Sequence, residues 1–215
     1  ISYEVQEHPA GLAHAFILGR QFIGNDSVTL VLGDNIFYSQ GLGEFLKNAV
    51  TLNSGATVFG HYVKDPHRFG VVELADNNEV LSIEEKPERP KSNYAVTGLY
   101  IYNNDVVEIA KSIKPSDRGE LEITDVNNVY LAHRELKVKL FGRGMLWLDA
   151  GTFDSMLAAG NLVQALELRQ GLKIACIEEI AFSNGWISAD HIHEIATGIE
   201  HTNYGKYLLG LVAQE

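Results

Sequence analysis

An α/β fold built on a layered sheet with some parallel pairing is what this chain predicts. Short apolar runs that read as strands are separated by stretches with helical spacing. The clearest run, Ser27 to Leu32, ends at Gly33-Asp34 in the pattern of a strand covered on both sides. At 215 residues and 46% hydrophobic, the chain is large enough to bury one full core.

The elements follow in order. Pro9 to Gly24 reads as a helix, with Pro at its start, Leu12, Phe16 and Ile17 on one face, and Gly24 as its stop. Gly43 to Thr51 is a second helix and Ala56 to Val63 a second strand. Phe69 to Leu74 and Val80 to Glu85 form β-structure around the turn Asp76-Asn77-Asn78, and Tyr94 to Tyr102 is a further strand. Asn104 to Ile113 and Glu120 to His133 read as helices. Leu136 to Phe141 and Met145 to Leu148 read as short strands, and Thr152 to Arg169 as a long helix. From Cys176 onward only short helical segments remain, so residues 1–175 are expected to form an α/β core and 176–215 a helical appendage of the same domain.

Charge and composition exclude several classes. Seventeen Lys and Arg stand against 28 Asp and Glu, giving −11 without a basic cluster, so a nucleic-acid partner is not expected. A phosphate ligand then needs positive charge from a metal or from local dipoles. No apolar run reaches membrane-spanning length, and no membrane partner is expected. One cysteine, Cys176, excludes a disulfide framework and suits a reducing, cytoplasmic setting. There is no His-Glu-x-x-His or Gly-x-Ser-x-Gly pattern, and His191 and His193 read as surface residues.

Asp34 and Asp149 each follow an apolar strand, where ligands of open α/β sheets bind. Two such carboxylates can share one Mg²⁺ with substrate phosphates completing its shell, or each can cap its own turn. Glu84-Glu85-Lys86-Pro87 offers a carboxylate for sugar hydroxyls and an ammonium for phosphate, or an exposed charged strand end. Arg118 can reach a phosphate, while Glu120 and Glu122 complement a helix dipole in what reads as the first turn. Gly11, Gly70 and Gly98 allow a ligand close to the backbone, and the helix after Pro9 presents free N–H groups.

Taken together, the segments Val5 to Ala13, Leu32-Gly33-Asp34-Asn35, Asp65 to Glu73, Glu84 to Pro87, Ser92 to Tyr100, Arg118 to Asp125 and Trp147 to Thr152 resemble the bacterial glucose-1-phosphate thymidylyltransferases of the sugar nucleotidyltransferase family. The resemblance runs through Cys176 to Ala181 and Tyr204 to Tyr207, in the family's order, and covers essentially the whole chain. It implies a three-layer α/β/α nucleotidyltransferase-like mixed sheet. It also implies transfer of a thymidylyl group from dTTP to glucose 1-phosphate, giving dTDP-glucose and pyrophosphate by in-line attack. By the family's pattern Asp34 and Asp149 hold Mg²⁺, Lys86 and Arg118 contact the sugar phosphate as catalytic cations, and Glu85, Gly70 and the Val96 backbone bind glucose. Asn35 joins the substrate site, Gln6, Pro9 and Gly11 face the thymine, and Arg143 lines a second, regulatory nucleotide site. A homotetramer in the pathway to dTDP-rhamnose is the family's usual setting.

Phe69 replaces a common Tyr, and His14 a common Gln. The family's Gly-rich loop with its catalytic Arg has no counterpart here, so the expectation is an N-terminally incomplete core, exposed sheet edge and weak turnover by this chain alone. Two other functions stay open at this point: a truncated, non-catalytic nucleotide-sugar binding or assembly module, and a related uridylyl- or cytidylyltransferase.

Overall fold

The computed structural model describes residues 1–51 and 53–213. The chain divides into two compact units, residues 1–156 and 157–215.

The first unit is built on a mixed six-stranded sheet. Its central strand is β6 (Tyr94–Tyr102), buried along almost its whole length. One edge of β6 pairs antiparallel with β3 (Ala56–Tyr62), and β3 pairs in parallel with β7 (Leu136–Leu140). The other edge is shared. β4 (Gly70–Leu74) meets β6 at Ala95, and β1 (Val28–Val31) pairs along Leu99 to Tyr102. β5 (Val80–Glu85) completes a hairpin with β4 through the expected turn. A separate two-stranded ribbon joins β2 (Asn35–Tyr38) to β8 (Leu146–Asp149), with Asn35 opposite Asp149.

Helices cover both faces of the sheet. On one face α1 (His14–Leu18), α4 (Val106–Ser112) and α5 (Ile123–Ala132) place Phe16, Val106, Ala110, Val126 and Tyr130 against Val58, Val96, Tyr100 and Tyr102. On the other, Ala49 and Phe45 of α3 (Leu42–Thr51) meet Phe59, Leu99 and Ile101. The alternation of side chains along β3 and β6 sends neighbouring residues to opposite cores, and this produces the three layers.

Three local expectations are corrected. The predicted helix from Pro9 begins only at His14 and breaks at Gly19, after which α2 (Arg20–Ile23) continues. The backbone ahead of it is taken by a tertiary pairing, in which Leu121 N–H donates to Ala10 O and Ala13 N–H donates to Leu121 O. Those N–H groups are therefore not all free for a ligand. Gly11 sits at φ +92°, and a Cβ there would lie 2.4 Å from Leu121 O, so only glycine permits this approach. The helix predicted from Glu120 starts at Ile123, which places Glu120 and Glu122 before its first turn rather than in it. Finally, β1 is covered on one face only. Val28 and Leu30 pack on the core while Val31 is 53% exposed, because an apolar run reports strand propensity and not the number of layers laid on it.

The second unit takes in most of α6 (Phe153–Gln170), then α7 (Ile177–Ser183), α8 (Ala189–Ala196) and α9 (Asn203–Val212), with no strand among the described residues. Ser188 and Thr202 cap α8 and α9 by accepting from the N–H of His191 and Gly205. Cys176, Ile192, Ala196 and Leu208 form its core. His191 and His193 are exposed, as expected.

Beside that core Tyr204 donates its hydroxyl to Glu178, and the Cys176 sulfur lies 3.3 Å from the same hydroxyl. The Tyr204 hydrogen bond holds the Glu178 carboxyl below its usual range. A carboxylate with a lowered folded pKa stabilises fully above its unfolded pKa and loses that contribution as pH falls through the folded value. Tyr204→Phe is therefore expected to cost about 1 kcal/mol at pH 7. The deficit should shrink steadily below about pH 4.5. Paired thermal melts at neutral and acid pH check this, and an equal deficit at both would refute it.

Candidate active site

The pocket of the first unit opens where the chain leaves β1, and segments distant in sequence meet there. Asp34, Asn35, Gly70, Glu85, Val96 and Asp149 line it, joined by Arg68, Phe69, Gly98, Tyr100, Thr124, Asn127 and Trp147.

Asn35 is its organiser. Its Oδ1 accepts from the Gly98 N–H at 2.9 Å and from Trp147 Nε1 at 2.6 Å, and its Nδ2 donates to Asp34 Oδ1 at 2.8 Å. Gly98 is obligatory here, because a Cβ on it would sit 2.6 Å from the Asn35 side chain. The β2–β8 pairing sets Asn35 opposite Asp149 and so brings Asp34 beside that residue. Both carboxylates converge on Gly151. Asp149 Oδ1 and Asp34 Oδ2 lie 3.0 and 3.1 Å from the position a Cβ of Gly151 would take, and Asp149 Oδ1 accepts the Gly151 N–H at 3.0 Å.

Glu85, at the end of β5, is fixed from α5. Thr124 donates its hydroxyl to Glu85 Oε2 at 2.6 Å, leaving the other oxygen 3.9 Å from Lys86 Nζ. Lys86 has φ +43°, a left-handed conformation that a non-glycine residue adopts at a cost. Its N–H donates to Phe69 O, which anchors that backbone against β4. Arg118 donates to Glu122 at 2.8 Å and lies 3.7 Å from Glu120. These partners, Glu122 foremost and Glu85 more weakly, raise its pKa further and keep it charged.

Lys86, Arg118, Gln6, Pro9 and Gly11 are not lining residues of this pocket. Gln6 and Pro9 are exposed, and Gln6 Nε2 lies 3.2 Å from Gly11 O and 3.1 Å from His14 Nδ1. Arg143 lines a different hollow, with Ser39, Leu42, Phe45 and Phe141. Thr124, Asn127, Arg68 and the anchoring role of Trp147 are additions by the structure. Their one sequence signal is a pair of polar residues three apart on α5, on a face otherwise made of Ile123, Val126 and Tyr130.

Three acids against one arginine make the lining electronegative. An anionic ligand enters such a place only with added positive charge. Asp34 and Asp149 present an all-oxygen donor pair, suited to a hard divalent cation held by two carboxylates and a ligand's phosphates. Among the described residues no third His, Cys, Asp or Glu joins them.

Comparison with known proteins decides the lineage. The family model described as nucleotidyl transferase matches residues 1–165. The chain is 55% identical over 212 residues to a glucose-1-phosphate thymidylyltransferase of Neisseria meningitidis, and 52% identical over 212 residues to one of Mycobacterium tuberculosis. The chain belongs to the nucleotidyl transferase family. It aligns over 99% of its own length with both relatives, and spans 74% and 73% of theirs. A Bacillus anthracis protein described as a glucose-1-phosphate thymidylyltransferase, solved with sucrose, superposes with a TM-score of 0.67 at 42% identity. A UDP-glucose pyrophosphorylase bound to UDP-glucose superposes at 0.68 with 26% identity. Each superposition covers 75% of this chain but 64% of the solved one, under two thirds of its length. Both matched proteins are sugar nucleotidyltransferases by name, in accord with the expected fold class.

Proposed function

We propose that this chain carries the sugar, metal and phosphate sites of a glucose-1-phosphate thymidylyltransferase, forming dTDP-glucose and pyrophosphate from dTTP and glucose 1-phosphate. One observation carries the reading: Asp34 and Asp149, 115 positions apart, converge beside a pinned Glu85 in one pocket. The names of the relatives supply the nucleotide and the sugar. Their likeness favours this over the uridylyl and cytidylyl alternatives, and release of pyrophosphate decides between it and a module without activity.

In this reading Glu85, its orientation set by Thr124, accepts hydroxyl protons of the glucose. Gly70 and the Val96 backbone form the adjacent wall, and Trp147 is held upright by its bond to Asn35. Lys86 and Arg118 place two cations around Glu85 and hold the sugar phosphate for in-line attack, a reaction governed by positioning and charge neutralisation. Asp34 and Asp149 would hold Mg²⁺, which would supply charge neutralisation to the nucleotide phosphates. Gln6, Pro9 and Gly11 face the thymine from outside the strand-end pocket.

Arg143 in its separate hollow supports a regulatory nucleotide site, and the resemblance supports a cytoplasmic homotetramer serving the dTDP-rhamnose pathway. For the described residues, no helix is long and apolar enough to cross a membrane.

Calorimetric titration with dTDP-glucose and Mg²⁺, beside an assay of pyrophosphate release with dTTP, UTP or CTP, tests the function. Metal-dependent binding and preference for the thymidine nucleotide are expected. Preference for UTP or CTP, or absence of binding, would overturn it.

A further inference from the structure

Among the described residues three buried polar side-chain atoms lack a hydrogen-bond partner: His61 Nδ1, Thr97 Oγ1 and Asn127 Nδ2. His61 and Thr97 do not line the strand-end pocket, whereas Asn127 does. Asn127 is 0% exposed and stands on α5 between the core residues Val126 and Tyr130. Tyr102, itself fully buried, donates its hydroxyl to Asn127 Oδ1 at 2.6 Å. That bond assigns the oxygen to the core and leaves the amide N–H₂ as the unused side. One turn earlier on the same helix face, Thr124 donates to Glu85. Helix α5 thus brings to the pocket lining Thr124, which orients an acceptor, and Asn127, whose amide N–H₂ has no partner.

A buried donor without an acceptor is costly, and a residue that served only to accept from Tyr102 would not carry this second, unused donor. Resting on the sugar-phosphate reading of this pocket, we propose that Asn127 determines sugar specificity by donating its Nδ2 hydrogen to one hydroxyl oxygen of the bound pyranose. The hydroxyl keeps its own proton for a carboxylate, and Glu85 is the one that α5 pins in the same pocket. Amide and carboxylate then read one face of the sugar as donor and acceptor, which an epimer or a deoxy sugar cannot satisfy equally.

The test is calorimetric binding of glucose 1-phosphate and its 2-, 3-, 4- and 6-deoxy analogues, with Mg²⁺, to the unaltered protein, to Asn127→Leu and to Asn127→Leu with Tyr102→Phe. The double variant removes both partners of the buried bond and so leaves no orphaned hydroxyl. We expect glucose 1-phosphate to bind about 10-fold more weakly to both variants. One deoxy analogue should show no loss on mutation while the others show the full loss. Asn127→Asp, of the same shape and lacking the donor pair, should give the same ranking if the leucine disturbs α5. An equal loss across all analogues would mean a packing role, and no loss would mean an unused amide; either overturns the proposal. Failure of the unaltered protein to bind any of these sugars would overturn the sugar reading itself, before any substitution is made.

Discussion

Asp149→Asn is expected to weaken Mg²⁺-dependent binding of dTDP-glucose by at least about 100-fold while the protein stays folded. The amide keeps the size of the carboxylate and an oxygen that can accept the Gly151 N–H, now 3.0 Å from Asp149 Oδ1. The β2–β8 register depends on backbone pairing, which the substitution leaves alone. What goes is one of two negative charges that converge on Gly151 and would hold the cation. Without it, the phosphates face Asp34 and Glu85 with less compensating charge. Titration of dTDP-glucose with and without Mg²⁺ is the measurement. A variant whose affinity still rises with Mg²⁺ as in the unaltered protein would remove Asp149 from the metal site, and Asp34→Asn gives the matching check on its partner.

Gly98→Ala, the addition of one methyl group, should cost about 100-fold in affinity for glucose 1-phosphate. The new Cβ would lie 2.6 Å from Cγ and Oδ1 of Asn35, so that side chain must leave. Its departure frees the Gly98 N–H, Trp147 Nε1 and Asp34 Oδ1 together. Trp147 and Asp34, two residues of the pocket lining, then lose their positions at the same time. A stability loss of about 1–3 kcal/mol accompanies this, because a half-buried indole N–H loses its acceptor. A double-mutant cycle separates the cause. If the clash with Asn35 is the mechanism, Gly98→Ala in an Asn35→Ala background adds little to Asn35→Ala alone. Full additivity of the two losses would show that Gly98 acts by another route.

Much of the fold is legible in the sequence because its signals are local. The apolar runs at residues 56–63 and 94–102 became β3 and β6, and the turn Asp76-Asn77-Asn78 closed the β4–β5 hairpin where turn chemistry requires it. The carboxylates were legible too, since a charged residue closing an apolar strand is visible in one dimension. Asp34, Glu85 and Asp149 line one pocket, together with Gly70 and with Asn35 and Val96, which the family resemblance adds, whereas Lys86, Arg118, Gln6, Pro9 and Gly11 do not line it.

Only the tertiary structure decided the rest. The helix expected from Pro9 gave way to pairing with Leu121, a partner more than 100 residues away that no local pattern announces. Glu120 and Glu122, expected to serve a helix dipole, instead hold Arg118 ahead of the helix. Nothing in the sequence marks Asn127 beyond its place in the segment that reads as a helix. Its fixed oxygen and its free nitrogen exist only because Tyr102 of β6 approaches from the sheet. Periodicity and turn chemistry act between near neighbours, so the sequence alone determined the elements and the charged residues at their ends. Burial and hydrogen-bond pairing act between segments joined by folding, so the structure alone decided which buried polar groups are satisfied and which, like the Asn127 amide nitrogen, are not.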